Sequence, residues 1–415
     1  MNHHSLFVLL CIITALSSYI NLRYLKLPKP VGLIVVSAAF SLILLILISF
    51  EPHLFDPIYD LLDSVNFKVV VLHGLLGYLL FASAMHLNLL NLKKHFLGVL
   101  TLSSLGVIIS TFIIGTLGWL IIPLILGKQV PYVVYLLVGA IVSPTDPVTV
   151  FAVFKKNKNV PARVKSLLEG ESLFNDVISI VLFMILVSIA FGSNTDISIS
   201  HIAELFLQES LGGIFLGSLL GVIGMSLMYN SNDSHTLIVI SLAIVSSGFW
   251  LAQQLEISGP LVMVVSGLII GNSKFKNKLS NKEVKKFTDF WLTIDELLNA
   301  FLFVLVGIKI LELDYSNTIL FVGIVSFIIT VIARYISVAI SVFIRNKGVV
   351  PEDYTQSNIV MTWAGLRGGV SIALVLSLPV ENKYILLFSI VYIIVLLSIF
   401  IQGTTFKKLL DKFYG

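Results

Sequence analysis

Charge is what this chain has least of. Only 12% of its 415 residues are charged, against 57% hydrophobic, and the mean hydropathy is +0.99. A soluble domain carries about 25% charged residues, so a water-soluble globule is excluded. A single cysteine, Cys11, excludes an intramolecular disulfide framework and any cysteine-rich metal site. No Gly-x-x-x-x-Gly-Lys-[Ser/Thr] loop is present, which argues against a nucleotide-driven pump. Neither His-Glu-x-x-His nor a Gly-x-Ser-x-Gly elbow occurs, so acids at membrane depth do not read as an intramembrane hydrolase. Met1-Asn2-His3-His4 offers no Lys or Arg for a secretory n-region, so the first apolar span is expected to be retained. No connection is long enough for a soluble domain. The longest, near 274–290, is a basic amphipathic stretch expected to lie on the membrane surface.

What remains is apolar helix from end to end. Spans are predicted near 5–22, 31–49, 69–90, 97–126, 133–154, 165–191, 201–228, 235–252, 259–273, 291–311, 317–344, 354–378 and 384–403, thirteen in all. Several exceed the bilayer's need and predict tilt or kinks, whereas 259–273 is short for a crossing. Connections after odd-numbered spans, with the tail, carry 21 of the 27 basic residues, and the alternate connections carry three (Lys68, Lys128, Lys383). Basic residues mark the cytoplasmic side, so the N-terminus is expected outside and the C-terminus inside. Residues 1–403 read as one transmembrane transporter domain and 404–415 as a short cytoplasmic tail. These lysines are topology signals on solvated loops, and no nucleic-acid role is expected of them.

Within this apolar background three polar constellations stand out. In Ser143-Pro144-Thr145-Asp146-Pro147 two prolines lack N–H groups and clash with the preceding turn, so the span should unwind there. Broken backbone at membrane depth is tolerated only inside protein or along a cavity, and its freed groups can meet an ion. The bland alternative is a proline kink with Asp146 capping a half-helix.

The second constellation runs from Glu169 through Glu171, Ser172, Asn175 and Asp176 to Ser179. On a helix Ser172 and Asp176 are i and i+4, and Glu171 with Asn175 forms a neighbouring pair. A hydroxyl beside a carboxylate supplies the hard oxygens that a dehydrated alkali cation wants. A carboxylate can also take a proton, so cation and proton compete for Asp176. Placing a charged side chain at bilayer depth costs about 2.5–3.5 kcal/mol on insertion scales, so an acid kept there implies a use. An interhelical hydrogen-bond cluster is the structural alternative.

The third constellation is Trp363-Ala364-Gly365-Leu366-Arg367-Gly368-Gly369-Val370-Ser371, where three glycines loosen a helix around a buried cation. Arg367 needs an acid, and Glu171 is the first choice, Asp146 the second. Two interrupted spans in the two halves of a chain point to an inverted-repeat transporter. Arg334 lies mid-span with either a structural or a functional role open. Asp295, Glu296 and Asn299 are read as a helix-end cluster or a funnel lining, and His73 and His86 as packed histidines.

Thr145-Asp146-Pro147, Glu171-Ser172-Leu173-Phe174-Asn175-Asp176 and Gly365-Leu366-Arg367-Gly368-Gly369, in this order, resemble the monovalent cation:proton antiporter-1 family over essentially the whole chain. The resemblance implies an all-α inverted-repeat antiporter fold with crossed, unwound helices, working as a homodimer in a bacterial plasma membrane. It implies a mobile core domain, taken as about 69–191 and 291–378, that moves like an elevator against a dimerisation scaffold. Asp176 would bind cation and proton alternately, with Thr145 and Ser172 giving further oxygens to Na+ (or Li+ or K+) and with no cofactor. Asn175 and Asp146 would hold the crossed helices and Glu171 would pair with Arg367. The Asn-Asp pair marks the family's electroneutral branch. Some relatives place an acid on the third span, but Phe81–Leu87 has none. A passive monovalent cation channel is the rival reading. Channels want pore rings built by symmetry, and this chain concentrates its polar groups at one asymmetric site.

Overall fold

The computed structural model describes residues 3–50, 75–146, 150, 154, 160–191, 199–231, 233–273, 280–308, 316–345, 354–378 and 385–414, and no strand occurs among them. Fifteen helices carry the argument: α1 (His3–Ile20), α2 (Lys29–Phe50), α3 (Leu76–His86), α4 (Phe96–Leu126), α5 (Tyr132–Val142), α6 (Ala162–Phe191), α7 (Ile199–Tyr229) and α8 (Ser234–Gln254), then α9 (Gly259–Gly271), α10 (Asn281–Ile308), α11 (Asn317–Arg345), α12 (Tyr354–Trp363), α13 (Gly369–Leu376), α14 (Ile385–Leu397) and α15 (Gly403–Tyr414). Among the described residues eight helices are long and apolar enough to cross a membrane, and four more are apolar but shorter. Each expected span coincides with helix in whole or part. Pro147, the start of the third span and the basic stretches at 155–158 and 274–279 lie outside the described residues.

The helices pack as two groups. In the first, α1, α2, α3, α7, α8, α9 and α10 are mutual neighbours; in the second, α4, α5, α6 and α11 through α15 are. The second group contains two sets of three, α4–α6 and α11–α14, each with an interrupted central member. The core boundaries expected from sequence put the segments near 69–90 and 291–311 with this second group. Their helices α3 and α10 instead pack on α9, α2, α8 and each other, so they belong to the first. The cause is visible in their side chains. Trp291 of α10 is fully buried, packs at a tilt against Phe81 of α3 with ring centroids 4.7 Å apart and donates to Ser241 Oγ of α8 at 3.0 Å.

The short α9 shows how a thirteen-residue helix holds its place. Ser258 caps its start by accepting from the Leu261 N–H at 3.4 Å, and Pro260 sits in the first turn, where no N–H is needed. Most of its side chains are buried, so it is a central post surrounded by protein. Glycines let its neighbours close in. A Cβ at Gly267 would lie 2.7 Å from the Phe81 carbonyl of α3, and one at Gly217 of α7 would lie 2.8 Å from the Val262 carbonyl. Just before α8, Asp233 accepts from the Thr236 N–H at 3.0 Å, which holds its carboxyl below the usual range.

The expected tail is helical as well. A π turn at Ser398–Gln402 joins α14 to α15. Phe406 and Leu410 of α15 are buried, and Trp363 donates to Thr405 Oγ1 at 2.8 Å. Lys407, Lys408 and Lys412 remain outside.

Gly217→Leu should force α7 off α9 and cost about 1–3 kcal/mol as an overpacked contact. Thermal unfolding in detergent should show a lowered midpoint. Leu219→Ala, on the exposed face two residues on, should leave the midpoint within error.

Candidate functional site

Pro144 ends α5 as its chemistry requires: helix stops at Val142 and residues 143–146 run without it. On the other side α12 stops at Trp363, residues 364–368 are mostly non-helical, and α13 begins at Gly369. The two breaks meet. The Asp146 N–H donates to the Leu366 carbonyl at 2.7 Å. The Asp146 side chain lies against Gly368, where any Cβ would collide with it, so glycine is required at that crossing.

Against this crossing lies the polar stripe of α6. Asn175 donates to Thr145 Oγ1 at 2.8 Å, and Thr145 Oγ1 and Ser172 Oγ are 3.3 Å apart. One turn further, Ser179 donates to the Ala140 carbonyl of α5 at 2.5 Å. The stripe is buried: Asn175 is 0% exposed, Ser172 4% and Asp176 8%. Thr145, Asp146, Ser172 and Asp176 all line one cavity of about 720 Å³. The structure therefore brings together Thr145, Asp146, Ser172, Asn175 and Asp176, which sequence had placed in two separate motifs.

Two buried guanidinium groups flank them. Glu171, fully buried, forms an ion pair through Oε1 with Nη1 of Arg334, whose Nη2 donates to the Met361 carbonyl at 3.4 Å. The expected partner had been Arg367. That residue instead turns to the broken end of α5, donating from Nη1 to the carbonyls of Ser143 and, at 2.9 Å, Pro144. Carbonyls without helical partners attract a cation as an acid would, and Arg367 is positioned beside them by its own break. Its backbone N–H donates to Ser398 Oγ at 2.9 Å. Arg334 is thus the residue sequence reasoning left undecided. Its signal was present, because a mid-span arginine also needs an acid, and Glu171 is one of few available.

The cavity lies between the two helix groups. The second group contributes the α5 break, α6 and Gly368 to Ser371 of α13. The first group contributes Lys29 and Leu33 of α2, Leu79 to Leu87 of α3 and Leu292 to Phe303 of α10. At the rim Lys29 and Glu296 pair at 2.8 Å, both well exposed. Deeper in, Ser83 donates to Asp295 Oδ1 at 3.1 Å, and Asn299 donates to the Asp295 carbonyl oxygen at 2.9 Å and to Oδ1 at 3.3 Å. The polar residues midway along α10 therefore line the cavity. His86 lines the same wall.

Two interrupted helices crossing beside buried acids, within an all-helical body of membrane-spanning length, define a multi-pass membrane ion transporter. The family model described as sodium/hydrogen exchanger, transmembrane, matches residues 11–412, so the chain belongs to the sodium/hydrogen exchanger family. It is similar to the Na(+)/H(+) antiporter NhaP of Pseudomonas aeruginosa, at 36% identity over 97% of this chain and 95% of the relative. It is also similar to the Na(+)/H(+) antiporter NhaH of Halobacillus dabanensis, at 28% identity over 99% and 98%. The fold matches that of the sodium proton antiporter MjNhaP1 from Methanocaldococcus jannaschii at pH 8, with a TM-score of 0.74 and 21% identity over 99% of this chain and 98% of that one.

Arg334→Ala should strand Glu171 in a dry site and cost about 3–5 kcal/mol, the usual penalty for half of a buried pair. Replacing both partners with apolar residues, Arg334→Met with Glu171→Leu, should recover most of that loss. Unfolding midpoints of the three variants check it. A double variant as unstable as Arg334→Ala would show that the pair is not what the fold needs there.

Proposed function

We propose that this protein exchanges a monovalent cation for a proton by alternating access, with Asp176 as the shared carrier. The observation that supports this most directly is the position of Asp176. It lies beside Thr145 and Ser172, at the cavity seam between two helix groups. Na+ is the first substrate expected, with Li+ and K+ as the alternatives to test. Thr145 and Ser172 hydroxyls replace part of the cation's water, and Asp176 supplies the negative charge. Asn175 holds Thr145 in place, while Asp146 and Arg367 fix the crossing that presents these oxygens.

The coupling follows from electrostatics. Asp176 with a proton is neutral, and Asp176 with one monovalent cation is neutral. Empty, it is a buried charge, and moving it through the apolar seam costs several kcal/mol. Only loaded forms change sides readily, so exchange is obligatory and electroneutral at one proton per cation. Movement of the second helix group against the first exposes the site to one side at a time. On the thirteen-span reading with the N-terminus outside, this cavity opens towards the cytoplasm. We further propose a homodimer in the bacterial plasma membrane, with the first group as scaffold. A passive channel is the rival from another class, and the antiporter names of the relatives favour exchange.

The decisive experiment uses sealed proteoliposomes with an imposed pH gradient, voltage being clamped by valinomycin in the Na+ and Li+ trials. Added cation should trigger proton movement that ignores membrane voltage and disappears in Asp176→Asn, whose unfolding midpoint is unchanged. Flux that follows voltage in place of the pH gradient would instead support a channel. Because proton and cation compete for one carboxylate, the apparent KM for Na+ should rise as pH falls while kcat at saturation holds. A KM independent of pH would remove Asp176 as the shared site. Ser172→Ala should raise KM several-fold and leave a residual kcat.

A further inference from the structure

We infer that Ser398 and Gln402, in the π turn between α14 and α15, are positioning residues for the cation site, acting through the Leu366–Arg367 peptide on Thr145. This inference rests on the exchange reading above, in which the Thr145 hydroxyl meets the cation. Thr145 lies between two peptide units, and two adjacent residues of the other break hold both of them. The carbonyl of the Pro144–Thr145 unit accepts from Arg367 Nη1 at 2.9 Å. The N–H of the Thr145–Asp146 unit donates to the Leu366 carbonyl at 2.7 Å. Peptide units are planar, so holding both planes fixes the direction in which the Thr145 side chain leaves the backbone. That direction sets its hydroxyl beside Ser172 and under the Asn175 amide.

The Leu366 carbonyl and the Arg367 N–H are the two edges of one such plane and point opposite ways. The carbonyl edge receives Asp146, and the N–H edge donates to Ser398 Oγ at 2.9 Å. Ser398 in turn donates to Gln402 Oε1 at 2.6 Å, which aims its lone pairs back at Arg367. Both side chains are buried. One hydrogen-bond chain therefore runs from the Asp146 N–H through this peptide and the Ser398 hydroxyl to Gln402. Every donor in it points the same way, so each bond polarises and strengthens the next. The far end of the chain is anchored as well. Single π turns recur at functional sites, and this one leads into α15, whose Thr405 Oγ1 accepts from Trp363 Nε1 at 2.8 Å. Phe406, the next residue, packs on Phe154 with ring centroids 5.9 Å apart. This corner thus grips the 364–368 break at both sides, through Trp363 and through Arg367. Without the Ser398 hydroxyl the buried Arg367 N–H loses its acceptor, and the peptide must turn to seek another. Turning carries the Leu366 carbonyl off Asp146 and frees one of the two planes beside Thr145. Asp176 stands on α6, outside this chain, so cation affinity should suffer more than turnover.

The test measures Na+-dependent proton flux in proteoliposomes and, separately, amide hydrogen exchange of the protein in detergent. Ser398→Ala should raise KM for Na+ about threefold to tenfold, the effect of losing one hydrogen bond, with kcat within about twofold of the parent. Because Ser398 acts through Thr145, adding Ser398→Ala to Thr145→Ala should raise KM no further. Exchange of the Asp146 amide should quicken about tenfold in Ser398→Ala while amides of the buried helix α9 keep the parent's rate. Should Ser398→Ala not fold, Gln402→Met, which removes the acceptor behind the hydroxyl, carries the same measurements. A parental KM, or effects of the two substitutions that add, overturns the inference. So does exchange that quickens equally at Asp146 and across α9, since that is general loosening of the fold. If the parent itself shows no cation-driven proton movement, the exchange reading fails first and this one with it. A parent that exchanges normally beside an indifferent Ser398→Ala sinks the positioning role alone.

Discussion

Backbone that leaves its helix inside a bilayer must find hydrogen bonds within the protein, and here two breaks satisfy each other. The Asp146 N–H finds the Leu366 carbonyl, and the carbonyls freed at Ser143 and Pro144 find the Arg367 guanidinium. Arg367 is held in turn through its own N–H on Ser398, which donates to Gln402 at 2.6 Å. Each unsatisfied group in hydrocarbon would cost several kcal/mol, so neither break is tenable alone. Everything chemical in the molecule is arranged around this mutual repair. It fixes Thr145, and Thr145 fixes the side chain of Asn175 one residue from Asp176.

The two buried arginines divide the remaining electrostatic work. Arg334 neutralises Glu171 from α11, tying the first helix of one set of three to the polar helix α6 of the other. The Arg367 guanidinium donates to the carbonyls of Ser143 and Pro144 and is stabilised by those dipoles. A single guanidinium nitrogen, Nη1, serves both carbonyls. With Glu171 already committed, a cation entering the site is left with Asp176 as its buried carboxylate on α6. In the proposed exchange, a structural pair beside the carrier acid would let one charge in the stripe change its partner while the others do not.

Much of this was legible in the sequence because bilayer physics makes composition decisive. A 57% hydrophobic chain with basic residues crowded into alternate connections allows few architectures. Pro144 announced its break through a missing N–H, and the glycines around Arg367 announced theirs. The polar stripe of α6 followed from helical spacing alone. What sequence could not decide was which arginine meets Glu171, since both lie in apolar spans and the choice depends on how α11 and α12 are placed around α6. The allegiance of α3 and α10 was hidden for a related reason. An apolar helix reads the same whichever group it packs on, and the decision lies in details such as Trp291 reaching Ser241. The short span at 259–273 looked doubtful only because length was weighed without burial; a helix wrapped in protein has no lipid thickness to match.

The division into two groups gives the proposed exchange its physical logic. Hydrogen bonds at the crossing run within the second group, so that group can shift as a body without tearing its site. The seam is lined by apolar residues of α3 and α10, such as Leu80 and Phe303, on which a neutral site slides and a charged one does not. A carboxylate neutralised by either a proton or a cation meets that condition equally well, whereas an empty one meets a desolvation barrier. Coupling then needs no gate that recognises both ions. It needs one buried acid, a dry seam, and a crossing rigid enough to carry the acid from one side to the other.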